Sequence, residues 1–263
     1  MIVRKLDDGT MIIINQTDHA KLAGAFAAHW GNATFVRPAP RESLIRAAMT
    51  HDNGWLRYET MPTYDAAEKS SPSFFQSKTD AAQLAAFGWA IDWMTDIDPY
   101  AGALIGRHRT GLYRGRYGSV RSPASPPRGP LPEMVEGFVQ RYEKQQDAQL
   151  DGPSRRDFLI NYQLLQFWDL LSLAVCLREP RDETFEFVPT NYDGDGASGV
   201  RMVMSVGDGD IRLSPYPFDV DPLTVSLVYR RLPCEFTDEA AFRAAYFGAT
   251  PMLQTFVFRS APD

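Results

Sequence analysis

The sequence predicts an α+β fold: a mainly α-helical body, a β-rich C-terminal part, and an N-terminal hairpin that joins the latter. Three observations carry this expectation. Apolar residues recur at helical spacing through most of residues 15–180. After Pro180 the pattern changes to period two between turn residues. Residues 1–14 hold two short apolar runs around Asp7-Asp8-Gly9, a strong turn signal. The expected units are the hairpin at 1–14, a helical domain at 15–180 and a β-rich part at 181–263.

In order along the chain, MIVRKL and TMIIIN form the hairpin. NQTDHAKLAGAFAAHWG then reads as a helix with Thr17 as N-cap, Leu22, Ala25, Phe26 and His29 on one face, and Gly31 at its end. A second helix, from about Pro40 to His51, puts Leu44, Ala47, Ala48 and His51 on one stripe, and the chain turns at Asn53-Gly54. A third covers roughly Thr79–Thr95. A fourth opens at Asp98-Pro99, an N-cap followed by proline at the first helical position, with Ala101, Leu104, Ile105 and His108 on one face. GRYGSVRSPASPPRGPLP is too rich in Pro, Ser, Gly and Arg for regular structure.

A polar helix at about Pro132–Leu150 precedes SRRDFLINYQLLQFWDLLSLAVCL, whose stripe is Phe158, Tyr162, Leu165, Asp169, Ser172 and Cys176. Asp169 therefore stands in the middle of a buried face. Farther on, GVRMVMSVGDGDIRL reads as two strands around a tight turn, LTVSLVYRRLP alternates, and MLQTFVFRS follows a short helix near TDEAAFRAAYF.

Composition narrows the function. A net charge of −6 argues against a general nucleic-acid binder. No apolar run approaches the roughly 18–20 residues that cross a bilayer, so no membrane partner is expected. MIVRKLDDGT lacks the apolar core of a signal peptide. Cys176 and Cys234 have no pairing motif and are expected as reduced thiols in a cytoplasmic protein. A homo-oligomer is left open. There is no phosphate-binding glycine loop, dinucleotide fingerprint or nucleophile elbow.

What remains is a set of polar residues in places where burial is expected. The four histidines, His19, His29, His51 and His108, all lie on or near the ends of expected helices, and Asp52 adjoins His51. A buried Asp169 without a partner costs several kcal/mol, so it needs a cation, strong hydrogen bonds or a proton. Imidazoles from other helices together with a divalent ion (Mn, Fe, Ni, Mg or Zn) would compensate it. The plainer reading of each residue stays beside this one. His51 and Asp52 suit a helix C-terminus, Asp169 could accept from Tyr or Trp, and His29 is expected to be structural.

The order of these residues resembles the HD superfamily of metal-dependent phosphohydrolases: TDHAKLAG supplies His19, LIRAAMTHDNGW supplies His51 and Asp52, and LLQFWDLLSL supplies Asp169. The resemblance implies an HD-like helical body and a bound divalent metal held by these four. His108, in ALIGRHRTGL, falls where multi-metal members place further histidines. DHAKLAG, HDNGW, DPYAGALIGRHRTGLY and SPYPF also resemble an uncharacterised bacterial family, domain of unknown function 3891, over most of residues 15–235.

The expected activity is metal-dependent hydrolysis of a small anionic or phosphorylated molecule. Asp52 or Asp18 would orient or deprotonate water, and His108 would line the pocket, act as acid or bind a second ion. Six arginines and no acid lie between Arg107 and Arg128, and Arg107, Arg109 and Arg114 are the expected substrate contacts. The Pro/Ser/Gly loop that follows could act as a lid. Two alternatives use the same residues: an HD-type di-iron oxygenase, and a non-catalytic binding protein on an HD-like fold.

Overall fold

The two ends of the chain meet in one curled sheet. The structure, a computed structural model, describes residues 1–117, 129–151, 154–193, 199–207 and 209–262. β1 (Ile2–Lys5) and β2 (Thr10–Ile14) form the hairpin, turned at Gly9, whose φ of 79° suits glycine. β2 pairs with β6 (Leu223–Pro233), and the sheet continues through β7 (Met252–Ser260), β5 (Asp210–Ser214), β4 (Val200–Gly207) and β3 (Glu183–Val188). All neighbours are antiparallel except β5 and β7, which run parallel.

This arrangement corrects the expected helical, HD-like body with an appended β-rich part. Strand accounts for about 21% of the chain, and its buried face belongs to the same core as the helices. Phe26 on α1 (Gln16–His29) meets Phe258 of β7 edge-on at 5.1 Å. Phe167 on α7 (Arg155–Cys176) meets Phe185 of β3 at 5.2 Å. The sheet is a wall of the core. Helical periodicity reports that a face is covered, and it cannot report that a distant sheet covers it.

The remaining helices are α2 (Arg41–Thr50), the short α3 (Leu56–Thr60), α4 (Ala81–Ile97), α5 (Pro99–Arg114), α6 (Glu133–Leu150) and α8 (Glu239–Gly248). α7 runs through the centre, against α1, α2, α5, α6 and β3, and is buried on nearly all sides beyond Phe158. Its length and composition would suffice to cross a membrane, yet 83% of its most apolar window is buried inside the protein. α8 covers the other side of the hairpin, where Phe242 and Tyr246 pack with Met11, Ile13 and Leu232.

Two details of the helix ends differ from expectation. Thr17 lies inside α1 rather than capping it. The N-cap is Asn15, and the orphan N–H groups of Gln16 and Thr17 donate instead to the Glu59 carboxylate of α3, which also accepts from Thr17 Oγ1 at 2.6 Å. The chain after α2 makes a 3₁₀ turn at Asn53–Trp55, without a positive φ at Gly54. Glycine is needed there for space: a Cβ would stand 2.2 Å from Phe87 Cδ1. Close packing also brings α1 to α2, since a Cβ on Gly24 would lie 2.0 Å from Met49 Cγ. That approach sets His19 beside His51.

Candidate metal centre

Four elements deliver side chains to one buried point. His19 lies one turn into α1, and His51 is the C-cap of α2 in helical conformation. Asp52 immediately precedes the 3₁₀ turn, and Asp169 projects from the middle of α7. His108 comes from α5, which opens with Asp98 accepting from the N–H groups of Tyr100 and Ala101 at 3.1 Å. All five side chains are buried. His19 Nε2 lies 3.0 Å from Asp169 Oδ1 and 3.5 Å from Asp52 Oδ2. His51 Nε2 lies 3.4 Å from Asp169 Oδ1 and 3.7 Å from Asp52 Oδ2. His108 Nε2 stands 4.0 Å from Asp169 Oδ2.

The spacing suits an ion. Adjacent donors at ~2.1 Å from a common centre stand ~3.0 Å apart in an octahedron and ~3.4 Å apart in a tetrahedron. Nε2 of His19 and Nε2 of His51 are buried and have no hydrogen-bond partner, so the short approaches to Asp169 are not aligned hydrogen bonds. Two mutually compatible donor groups result: His19, His51 and Asp169, and His51, Asp52 and His108. An imidazole and carboxylate set of this kind fits a borderline or hard divalent ion.

Supporting contacts turn the right nitrogens inward. His51 Nδ1 is 2.8 Å from the Ala48 carbonyl, which only accepts, so Nδ1 carries a proton and Nε2 is the nitrogen that would offer its lone pair to an ion on losing its own proton. Ser172 Oγ donates to the Asp169 carbonyl at 2.8 Å and therefore accepts from His19 Nδ1 at 2.7 Å, with the same consequence for His19. Tyr117 donates to Asp169 Oδ2 at 2.6 Å, leaving Oδ1 as the atom that faces both imidazoles.

The metal-free electrostatics agree with a cation-seeking site. Burial by itself lowers the pKa of His19, but the Asp169 and Asp52 carboxylates outweigh it and hold that pKa well above the usual value. Burial and the same two carboxylates act on His51 with the same net direction. Burial pushes the Asp169 carboxyl upward, and the two imidazoles pull it well below the usual range. His108 is pushed down to about 4, by burial first and by the neighbouring His51 second, and is neutral at pH 7.

A cavity of about 480 Å³ opens above these residues, within the size range of small-molecule sites. His19, Asp52, His108 and Asp169 form its floor. Its walls include Trp55, Phe74, Leu112, Tyr113, Leu173 and Leu177, with Arg109 in the wall and Arg178 and Glu183 paired at 3.3 Å.

Several expected site residues lie elsewhere. Asp18 is bound by Lys21 Nζ at 2.8 Å and Asn15 Nδ2 at 3.3 Å, and does not line the cavity. Arg114 is held by Glu136 and Glu143 of α6 at 2.7–2.9 Å. Arg107 sits over the Tyr162 ring at 5.6 Å, away from the cavity. Of the three arginines expected to contact substrate, only Arg109 is in the wall. Arg121, Arg128 and residues 118–128 of the expected lid at 115–132 lie outside the described residues. His29 is outside the centre, 3.0 Å from Asp219.

Tyr117, Gln83 and the Arg178–Glu183 pair were not foreseen. Ser172 was visible as the next residue on the Asp169 stripe, three positions on, which is the spacing that lets its side chain reach the Asp169 carbonyl.

The family described as a protein of unknown function (DUF3891) matches residues 1–234, and the chain belongs to that family. No curated protein and no solved structure matches the chain.

Proposed function

We propose that the protein is a metal-dependent hydrolase, phosphohydrolase-like, of a small anionic substrate. The observation that carries this reading is the pair of buried, unpartnered Nε2 atoms of His19 and His51 facing a buried Asp169 carboxylate at a cavity floor. The donor order also supports it: a histidine, a His-Asp doublet and a late aspartate is the HD superfamily's pattern. The likeness lies in the donor set and not in the architecture.

His19, His51, Asp52 and Asp169 would hold the ion. Bound there, a divalent metal supplies Lewis acidity and makes a coordinated water acidic near neutral pH. Asp52, on the cavity floor, would orient a water at the centre and accept a proton from it. Neutral His108, beside His51 at 4.9 Å between ring centroids, offers an acceptor to the attacking water or a further donor to the ion. Arg109 neutralises the substrate anion.

One ion is favoured over two. His51 belongs to both donor groups, but its Nδ1 is committed to Ala48 and Nε2 has a single lone pair. A second ion would have Asp52, His108 and, by bridging, the Asp169 Oδ2 to which Tyr117 already donates, a poorer donor set that weighs against the di-iron reading.

Metal content by mass spectrometry, on protein prepared without chelator, tests the assignment beside Asp169→Ala. One equivalent of divalent metal, lost in the variant, is expected, followed by phosphoester hydrolysis that needs the metal. A variant with its full metal content would overturn the ligand assignment. Metal-free protein that added Mn or Mg does not load would leave the binding-protein reading.

A further inference from the structure

We propose that Arg109 is the anion-recognition residue of the cavity, and that its ligand is a small molecule bearing one anionic group on an apolar or aromatic body. As a substrate class, this rests on the hydrolase reading of the adjoining centre. Arg109 is 7% exposed and lines the cavity, yet no carboxylate lies within ion-pair distance of it among the described residues. By contrast Arg46, Arg114 and Arg116 each have a carboxylate at 2.7–2.9 Å.

The contacts that Arg109 does make hold the guanidinium without neutralising it. Its plane lies over Phe87 at 3.5 Å, and Nη2 donates to Tyr113 Oη at 2.9 Å and to Gln83 Oε1 at 3.3 Å. Gln83 is itself fixed, its Nε2 donating to Ser77 Oγ at 2.6 Å. Nε of Arg109 is buried with no partner. A cation–π contact offsets part of the cost of burying a charge. A pre-oriented cation with donors to spare is what an incoming anion requires.

The rest of the wall defines the body of the ligand. Leu112, Leu173, Leu177, Trp55, Phe74 and Phe75 are apolar, and the remaining cation, Arg178, is paired with Glu183. Away from the proposed metal centre the cavity therefore has, among the described residues, one positive group without a carboxylate partner. One anionic group matches it, and a second would find no cation, since the other polar lining residues, Gln16, Ser77, Thr79, Gln83, Tyr113 and Tyr117, are uncharged.

The test uses phenylphosphonate, methylphosphonate and benzyl alcohol, none of which is hydrolysed, titrated calorimetrically into the full chain with and without Mn. Phenylphosphonate should bind at least about tenfold more tightly than methylphosphonate, because the ring buries against the apolar wall. Benzyl alcohol should bind more weakly than either. Arg109→Gln should weaken both phosphonates by about 10–100-fold, the loss of a charge-assisted contact. Mn stoichiometry and the thermal midpoint report whether that variant is folded. If it is not, Arg109→Lys, which keeps the charge but not the fork, should still lose about fivefold or more.

Equal binding of the two phosphonates, wild-type affinity in a folded Arg109 variant, or no phosphonate binding at all would overturn the proposal. Arg109-dependent binding in a protein that takes up no Mn would sustain this subsite while the hydrolase reading fails. Mn-dependent binding that ignores Arg109 would do the reverse.

Discussion

Ser172→Ala separates support of the proposed metal centre from simple packing. The hydroxyl donates to the Asp169 carbonyl at 2.8 Å and accepts from His19 Nδ1 at 2.7 Å, and Ser172 is fully buried. Alanine removes the acceptor and leaves a buried N–H unpaired, at a cost of about 1–3 kcal/mol. For a chain of this size that is a fall in Tm of roughly 2–12 °C for the metal-free protein. The same bond fixes the tautomer that presents Nε2 to the ion, and losing such a contact weakens metal affinity by about 10–100-fold. Competition with a chromogenic chelator reads the affinity and calorimetry reads Tm. A variant with lowered Tm and unchanged Mn or Zn affinity would refute the tautomer argument.

Other consequences follow from the same geometry. Metal affinity should rise with pH through neutrality and beyond, because the raised pKa values of His19 and His51 mean that binding must expel their protons. Without metal the sign reverses for stability. The favourable charge of those imidazoles is fully present below about pH 6.5, their unfolded value, and is lost as pH rises through the higher folded values. Proton release in two buffers of different ionisation enthalpy checks the first statement, and metal-free Tm against pH checks the second. Arg114→Ala should leave KM within about twofold while lowering stability by about 1 kcal/mol, since its bonds go to Glu136 and Glu143. A large KM increase would mean that Arg114 reaches the substrate after all.

Three residues of the candidate centre were legible in the sequence because a polar residue on an apolar helical stripe has few explanations. Asp169 interrupts the face that runs from Phe158 to Cys176, and His51 and His108 end apolar stripes of their own; all three are buried together. Periodicity encodes which side of a helix is covered; the grouping of these residues with His19 and Asp52 rested on the resemblance to the HD pattern. Turn chemistry was equally local: the Asp98-Pro99 start and the Asp-Gly hairpin lie where residue type alone puts them.

Tertiary structure decided the rest, because the deciding contacts join residues far apart along the chain. The run of arginines looked like one anion surface, but α6 brings Glu136 and Glu143 to Arg114, and Glu143 also takes Arg116, while Arg109, among the described arginines of that run, lines the cavity. Glu59 caps a helix whose own N-cap side chain does not, and Gly54 serves the Phe87 ring rather than a turn. The alternation after Pro180 identified strands but not their order, which is set by pairing across the sheet, including the parallel contact of β5 with β7. A side chain's own periodicity determines that it is buried; only packing between distant segments determines against what.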